Sequence, residues 1–303
     1  MVPDSQNLPK ITKRRYTFLV NSLKQTRRKY MRLLRAHHIT NLVAVVDSFL
    51  PRQLADPRGG RPVKLHQNEV VALLIFSSLA APQRTLTGIY AWAQVYYCRR
   101  FNLPAYSTWM KKCHAALPDM LVIPDQLLVK DASLRFMDST MLQVCKLIRA
   151  DRHKVAKGVA DFGKNWQGWH YGFKLHAACN LKCQLCAIRF TPANESDSQQ
   201  IPYLVNDATV IAVGDGGYTA SVMRRKMWRE HQAYILSPPH PKQTKKVLER
   251  WQLLLLQARP KIECTFDYLK EHLFLVSSFP RSVKGYFVHY VRILLSYQLM
   301  WGF

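Results

Sequence analysis

Three acidic residues stand out in this 303-residue sequence because of what surrounds each of them. Asp138 lies inside Leu134-Arg135-Phe136-Met137-Asp138-Ser139-Thr140, a run that otherwise reads as a buried strand. An ionised carboxylate there costs several kcal/mol unless it is paired or metal-bound, the plainer account being a turn at a strand end. Asp215 closes Val210-Ile211-Ala212-Val213-Gly214 and is followed by Gly216-Gly217-Tyr218. An acid at the carboxyl end of a buried strand, beside glycines that let a partner approach the backbone, is where α/β sheets present groups to ligands, although Asp-Gly is also a common turn pair. Glu263 falls within Arg259-Pro260-Lys261-Ile262-Glu263-Cys264-Thr265-Phe266-Asp267-Tyr268-Leu269-Lys270, where Pro260 suits a first helical turn. At about 100° per residue, Ile262, Phe266, Leu269 and Leu273 make one apolar stripe, and Arg259, Glu263 and Lys270 a charged stripe beside it. An ordinary solvated Arg259–Glu263 pair is the competing account of that second stripe.

Two strand aspartates and a helix glutamate form the oxygen-donor set that hard Mg²⁺ prefers. Two ions about 3.5–4 Å apart would activate an attacking oxygen and stabilise a leaving one in an in-line displacement at a phosphodiester. The expected catalytic and metal-binding residues are therefore Asp138, Asp215 and Glu263, with two Mg²⁺ ions that Mn²⁺ can replace. Arg259 and Lys270 are expected to hold DNA phosphates, the arginine as a bidentate fork and the lysine as a mobile point charge.

The composition supplies the phosphodiester. Lys plus Arg number 44 against 19 Asp plus Glu, a formal net charge of +25, and so large an excess calls for a polyanion to neutralise it. Double-stranded DNA is the expected partner. The charge is concentrated between residues 10 and 38, where Lys13, Arg14, Arg15, Arg27, Arg28, Lys29 and Arg32 recur with Leu19, Leu23, Tyr30, Leu33 and Leu34 at helical spacing, and no acid occurs between Asp4 and Asp47. That pattern reads as a basic amphipathic helix on a DNA track, followed by a second helix through Val46; a solvated charged face is the alternative. A membrane partner has weak support, because the longest apolar stretch, Val70 to Ala81, is too short to span a bilayer and carries two serines. With no apolar segment before Lys10, a cytosolic protein is expected. The seven scattered cysteines then read as free thiols, and Cys179, Cys183 and Cys186 as core residues at a hairpin near Asn180 rather than a zinc site, since no second ligand pair follows.

The elements that must position the acids follow from texture. Gln67–Leu79, Thr87–Arg100 and Ser107–Ala116 read as helices, the last ending before a Pro118–Pro124 region, and Asp56–Pro62 as a linker. After Asp131, Leu134–Thr140, Tyr171–Ala178, Gln184–Phe190, Val210–Gly214 and Tyr234–Leu236 read as strands, with helices at Ser196–Val205, Ala220–His231 and the C-terminal end. The predicted architecture is α/β: a helical, basic, DNA-binding region over 1–130 and a layered sheet domain over 131–303.

The block from Asp138 to Lys270 resembles the RNase H-like catalytic domain of DDE transposases from bacterial insertion sequences. The Arg259, Glu263, Lys270 spacing is similar to their glutamate-helix signature, with Leu256 where a tyrosine is usual. Gly214-Asp215-Gly216-Gly217-Tyr218 resembles their second-aspartate motif, with Gly216 where a basic residue is common. Trp169 to His176 and Thr191 to Asn194 are similar to their intervening blocks, and the insertion sequence 982 family is the nearest in pattern. The resemblance implies an RNase H-like mixed sheet flanked by helices. It also implies cleavage at the ends of an element and joining of the freed 3′-hydroxyls to target DNA, with terminal inverted repeats as substrate and a dimer acting on DNA.

Overall fold

The computed structural model describes residues 39–50, 63–82, 84–165, 167–239, 247–276 and 280–302. The basic stretch from residue 10 to 38 and the Asp56–Pro62 segment lie outside these residues.

The first half is helical: α1 (Ile39–Phe49), α2 (Gln67–Ala80), α3 (Leu86–Tyr97), α4 (Tyr106–Ala115) and α5 (Leu117–Leu127). Every residue of α2 from Val70 to Leu79 is buried, so the longest apolar run of the sequence is a helix enclosed by its neighbours. Among the described residues no helix is long and apolar enough to cross a membrane. The Pro118–Pro124 region is not a break. Pro118 occupies the first turn of α5, where its missing N–H has no partner to lose, and Leu128 N still donates to Pro124 O at 2.9 Å.

The second half contains β1 (Leu134–Gln143), β2 (Asp161–Asn165), β3 (Gly168–Cys179), β4 (Leu185–Pro192), α6 (Ile201–Leu204), β5 (Ile211–Val213), α7 (Ser221–His231), β6 (Tyr234–Leu236), α8 (Arg250–Ala258), α9 (Pro260–Asp267) and α10 (Val283–Gly302). A π turn, Tyr268–His272, continues α9. The sheet is mixed: β1 runs antiparallel to β3 and parallel to β5, β5 parallel to β6, and both β2 and β4 pair antiparallel with β3. The short β2 was not visible in the sequence, since Asp161-Phe162-Gly163-Lys164-Asn165 lacks a β-rich composition. It lies so close to the end of β4 that a side chain on Gly163 would meet Ala193 O at 2.3 Å.

Both faces of the sheet are covered, which is why its strands read as nearly continuous apolar runs. Phe136, Leu142, Leu175, Ala177 and Val213 pack with Ile262, Phe266 and Leu269 of the α9 segment and with Tyr286, Tyr290, Ile293, Leu294 and Tyr297 of α10. On the other face, Met137, Ala178, Ala212 and Ile235 pack with Ile201, Leu204, Tyr218 and Met227. Helix α10 serves two cores, because its Val288, Val291, Leu295 and Leu299 join the cluster of α1–α5. Polar groups fix this placement: Ser296 Oγ donates to Ile75 O at 3.1 Å, and Gln298 Nε2 donates to Leu127 O at 2.7 Å and to Leu185 O at 3.0 Å.

Candidate active site

Strand register brings the first two acids together. In the parallel pair β1–β5, Phe136 lies opposite Val213, so the residues two positions further along each chain, Asp138 and Asp215, are neighbours at the point where β5 ends. The alternation that places Phe136 and Leu142 against α9 and α10 also turns Asp138 to that face. Ile262, Phe266, Leu269 and Leu273, the expected stripe, are all buried and seat α9 on the same face. Its charged side then meets β1: Arg259 Nη1 stands 3.5 Å from Asp138 Oδ2, and Nη2 donates to Glu263 Oε1 at 2.5 Å. The guanidinium thus bridges two of the three acids.

The electrostatics follow from burial. Asp138, 19 % exposed, has its carboxyl pushed up to about 7, mainly by loss of solvent. The Ser139 N–H, donating to Oδ1 at 2.7 Å, opposes this; Asp215 raises the value further, Arg259 lowers it, and Asp197 adds a smaller increase. Asp215 caps the short turn Gly216–Tyr218, with its Oδ1 accepting from Gly217 N at 2.8 Å. Gly214 is needed beneath it, because a Cβ there would meet the Tyr218 ring at 2.6 Å. Lys270, in the π turn, is half-buried, and its pKa is lowered by burial while Asp267, Glu271 and Asp138 pull it up, so it looks toward the acids as well.

Asp138, Asp215, Glu263, Arg259 and Lys270 are therefore gathered in one region. Lys13, Arg14, Arg15, Arg27, Arg28, Lys29 and Arg32 lie outside the described residues. The reading of the sequence missed Asp197. Its Oδ1 lies 3.3 Å from Lys174 Nζ and 3.4 Å from His176 Nδ1, and Lys174 and His176 project from the face of β3 opposite Asp138. Burial lowers the His176 pKa to about 4 against the pull of Asp197, so its ring is neutral at pH 7. The signal present in the sequence was a lysine and a histidine two apart on a buried strand, each needing a polar partner.

The donor chemistry suits a divalent cation: the acids offer carboxylate oxygens only, and a guanidinium already supplies positive charge between Asp138 and Glu263. Among the described residues no three His, Cys, Asp or Glu side chains stand close enough to grip one ion as they are placed, and the Arg259 guanidinium stands between Asp138 and Glu263. Glu263 is 46 % exposed and pairs with Arg259. The buried cysteines Cys179, Cys183 and Cys186 lie in the cores, at the hairpin between β3 and β4.

In metal-free protein the raised Asp138 pKa means that the folded state holds a proton more tightly than the unfolded chain, whose aspartates titrate near about 3.9. Its contribution to stability therefore falls as pH rises from about 4 to about 7 and stays at its minimum above that. Asp138→Asn, melted in chelator, is expected to gain several degrees over the parent above pH 7 and nothing near pH 4. A gain independent of pH, or none, contradicts this assignment.

A family model described as a transposase DDE domain matches residues 129–283, just over half of the 303-residue chain. No curated protein sequence matches the chain. The matched span takes in β1, β5 and α9, and with them Asp138, Asp215 and Glu263. The chain belongs to the DDE transposase family.

Proposed function

We propose that this protein is a transposase, nearest to the insertion sequence 982 family, that cleaves the ends of its element and joins the 3′-hydroxyl ends to target DNA. Its substrate is double-stranded DNA, terminal inverted repeats and target alike, and it acts as a dimer. The sheet over 131–303 is read as RNase H-like, and the helical region over 1–130 as the part that binds DNA. The observation that carries the reading is the convergence of Asp138 and Asp215, offset equally from a parallel register pair, with Glu263 brought to Asp138 through Arg259.

Asp138, Asp215 and Glu263 would hold the divalent cations, which supply activation of the attacking oxygen and stabilisation of the leaving one. The remaining work belongs to the chain itself. Arg259, released from Asp138 and Glu263, has a fork of donors suited to a phosphate. Lys270 offers a second positive charge from the π turn, and its half-buried position strengthens the attraction by excluding water. Positioning dominates in such a reaction, and no covalent link between protein and DNA is expected.

Asp138→Ala, Asp215→Ala and Glu263→Ala are each expected to slow cleavage and joining of terminal-repeat DNA by more than the roughly 100-fold that loss of an outer-shell partner costs, with DNA affinity retained. Near-normal joining in Mg²⁺ by any one of them removes that residue from the site. Cleavage without joining by the parent protein would make it a nuclease.

The ten Lys and Arg residues between 10 and 38 are proposed to contact phosphates. Removing residues 1–38 is expected to weaken binding to any DNA sequence and to reduce the slope of log affinity against log salt by about 0.9 for each lost contact. An unchanged slope moves the binding surface elsewhere.

A further inference from the structure

Asp197 is an acid beside this site for which the three-carboxylate set has no use, and its surroundings are built rather than incidental. Its Oδ1 accepts a hydrogen bond from Lys174 Nζ at 3.3 Å and lies 3.4 Å from His176 Nδ1. Both neighbours are themselves anchored: Lys174 Nζ donates to Glu195 O at 2.7 Å, and His176 Nε2 shares a hydrogen bond with Thr191 Oγ1 at 2.8 Å. Oδ2 points to the loop that carries Asp215. A Cβ on Gly217 would lie 3.0 Å from Asp215 Oδ1 and 3.3 Å from Asp197 Oδ2, so the two carboxylates converge on one side of that glycine.

Two buried polar atoms border the same space. The Tyr218 hydroxyl is fully buried, has no hydrogen-bond partner, and feels the charges of Asp197, Asp138 and Asp215. His176 Nδ1, also fully buried, faces Asp197 Oδ1 without hydrogen-bond geometry. A buried hydroxyl left unpaired is costly, and an ordered water or ion beside it is one way that cost is met. A simple Lys174–Asp197 ion pair accounts for Oδ1 and leaves Oδ2, its approach to Asp215 and the Tyr218 hydroxyl unexplained.

We propose that Asp197 is a positioning residue of the metal site. Lys174 fixes its Oδ1, and Oδ2 accepts a hydrogen bond from the hydration shell of a divalent cation held by Asp138 and Asp215, with the Tyr218 hydroxyl completing the polar wall. This rests on the metal-site reading above and adds to it an outer-shell partner on the opposite face of the sheet.

The test is Mn²⁺ titration of the full chain without DNA, followed by calorimetry, with melting temperature in chelator as the control for folding. Asp197→Asn is expected to weaken Mn²⁺ binding by about 10–100-fold, and Asp197→Glu, which keeps the charge but displaces it, to fall between that variant and the parent. A merely structural aspartate would lower the melting temperature and leave the affinity of the folded protein alone. Parent-like affinity in Asp197→Asn, alongside weakened binding in Asp138→Asn, overturns the role of Asp197 and leaves the metal site standing. Parent-like affinity in both variants overturns the metal-site reading and this inference with it. Should Asp197→Asn not fold, parent-like affinity in Asp197→Glu overturns the proposal by itself.

Discussion

The constraint on which the site depends is a carboxylate that cannot be comfortably ionised where it sits. Asp138 projects from a strand covered on both faces, and loss of solvent is the largest of the influences that together push its pKa up to about 7. A second carboxylate, Asp215, is then brought alongside by parallel register and makes ionisation harder still. Such an arrangement requires a cation. In this structure the cation is the Arg259 guanidinium, tied at its other side to Glu263. The same need is what a divalent metal would satisfy more fully, at the expense of the Arg259 contact.

The architecture serves that need by rigidity. Helix α9 carries Arg259 and Glu263 and is seated by Ile262, Phe266, Leu269 and Leu273, so its charged side is fixed against β1 by apolar burial rather than by the ion pair itself. Behind it, α10 packs on the sheet with one side and on α1–α5 with another. Gln298 and Ser296 pin that helix at both cores through main-chain groups, so the helical half and the sheet share a common support. Apolar seating of this kind holds the helix in place while the Arg259 and Glu263 side chains stay able to exchange partners.

Much of this was legible in the sequence where one physical signal dominated. The stripe from Ile262 to Leu273 is buried as its spacing requires, and β6 spans Tyr234–Leu236 as read from its apolar run. Pro118 and Pro124 misled because proline is a breaker only where its missing N–H or its ring matters, and α5 tolerates both. Strand β2 stayed hidden because Asp161-Phe162-Gly163-Lys164-Asn165 has little β-forming composition, although it pairs with the start of β3 as a local hairpin, Asn165 opposite Gly168. Asp197 stayed hidden for a different reason. Its meaning depends on Lys174 and His176, which lie more than twenty residues away in the chain, and on the end of β5, which β-sheet register alone brings near. The seven basic residues expected to track DNA fall outside the described residues, so their reading still rests on charge and spacing.

The most direct test of the account is a diffraction experiment on crystals of the protein soaked in Mn²⁺, using the anomalous signal of the metal. The account predicts a Mn²⁺ peak within about 2.0–2.3 Å of carboxylate oxygens of both Asp138 and Asp215, with the Arg259 guanidinium withdrawn from Asp138 and Glu263 turned toward the ion. No peak at these acids, with Arg259 still bridging Asp138 and Glu263 at saturating Mn²⁺, would contradict it: the arginine would then be the permanent counter-ion of a structural carboxylate pair.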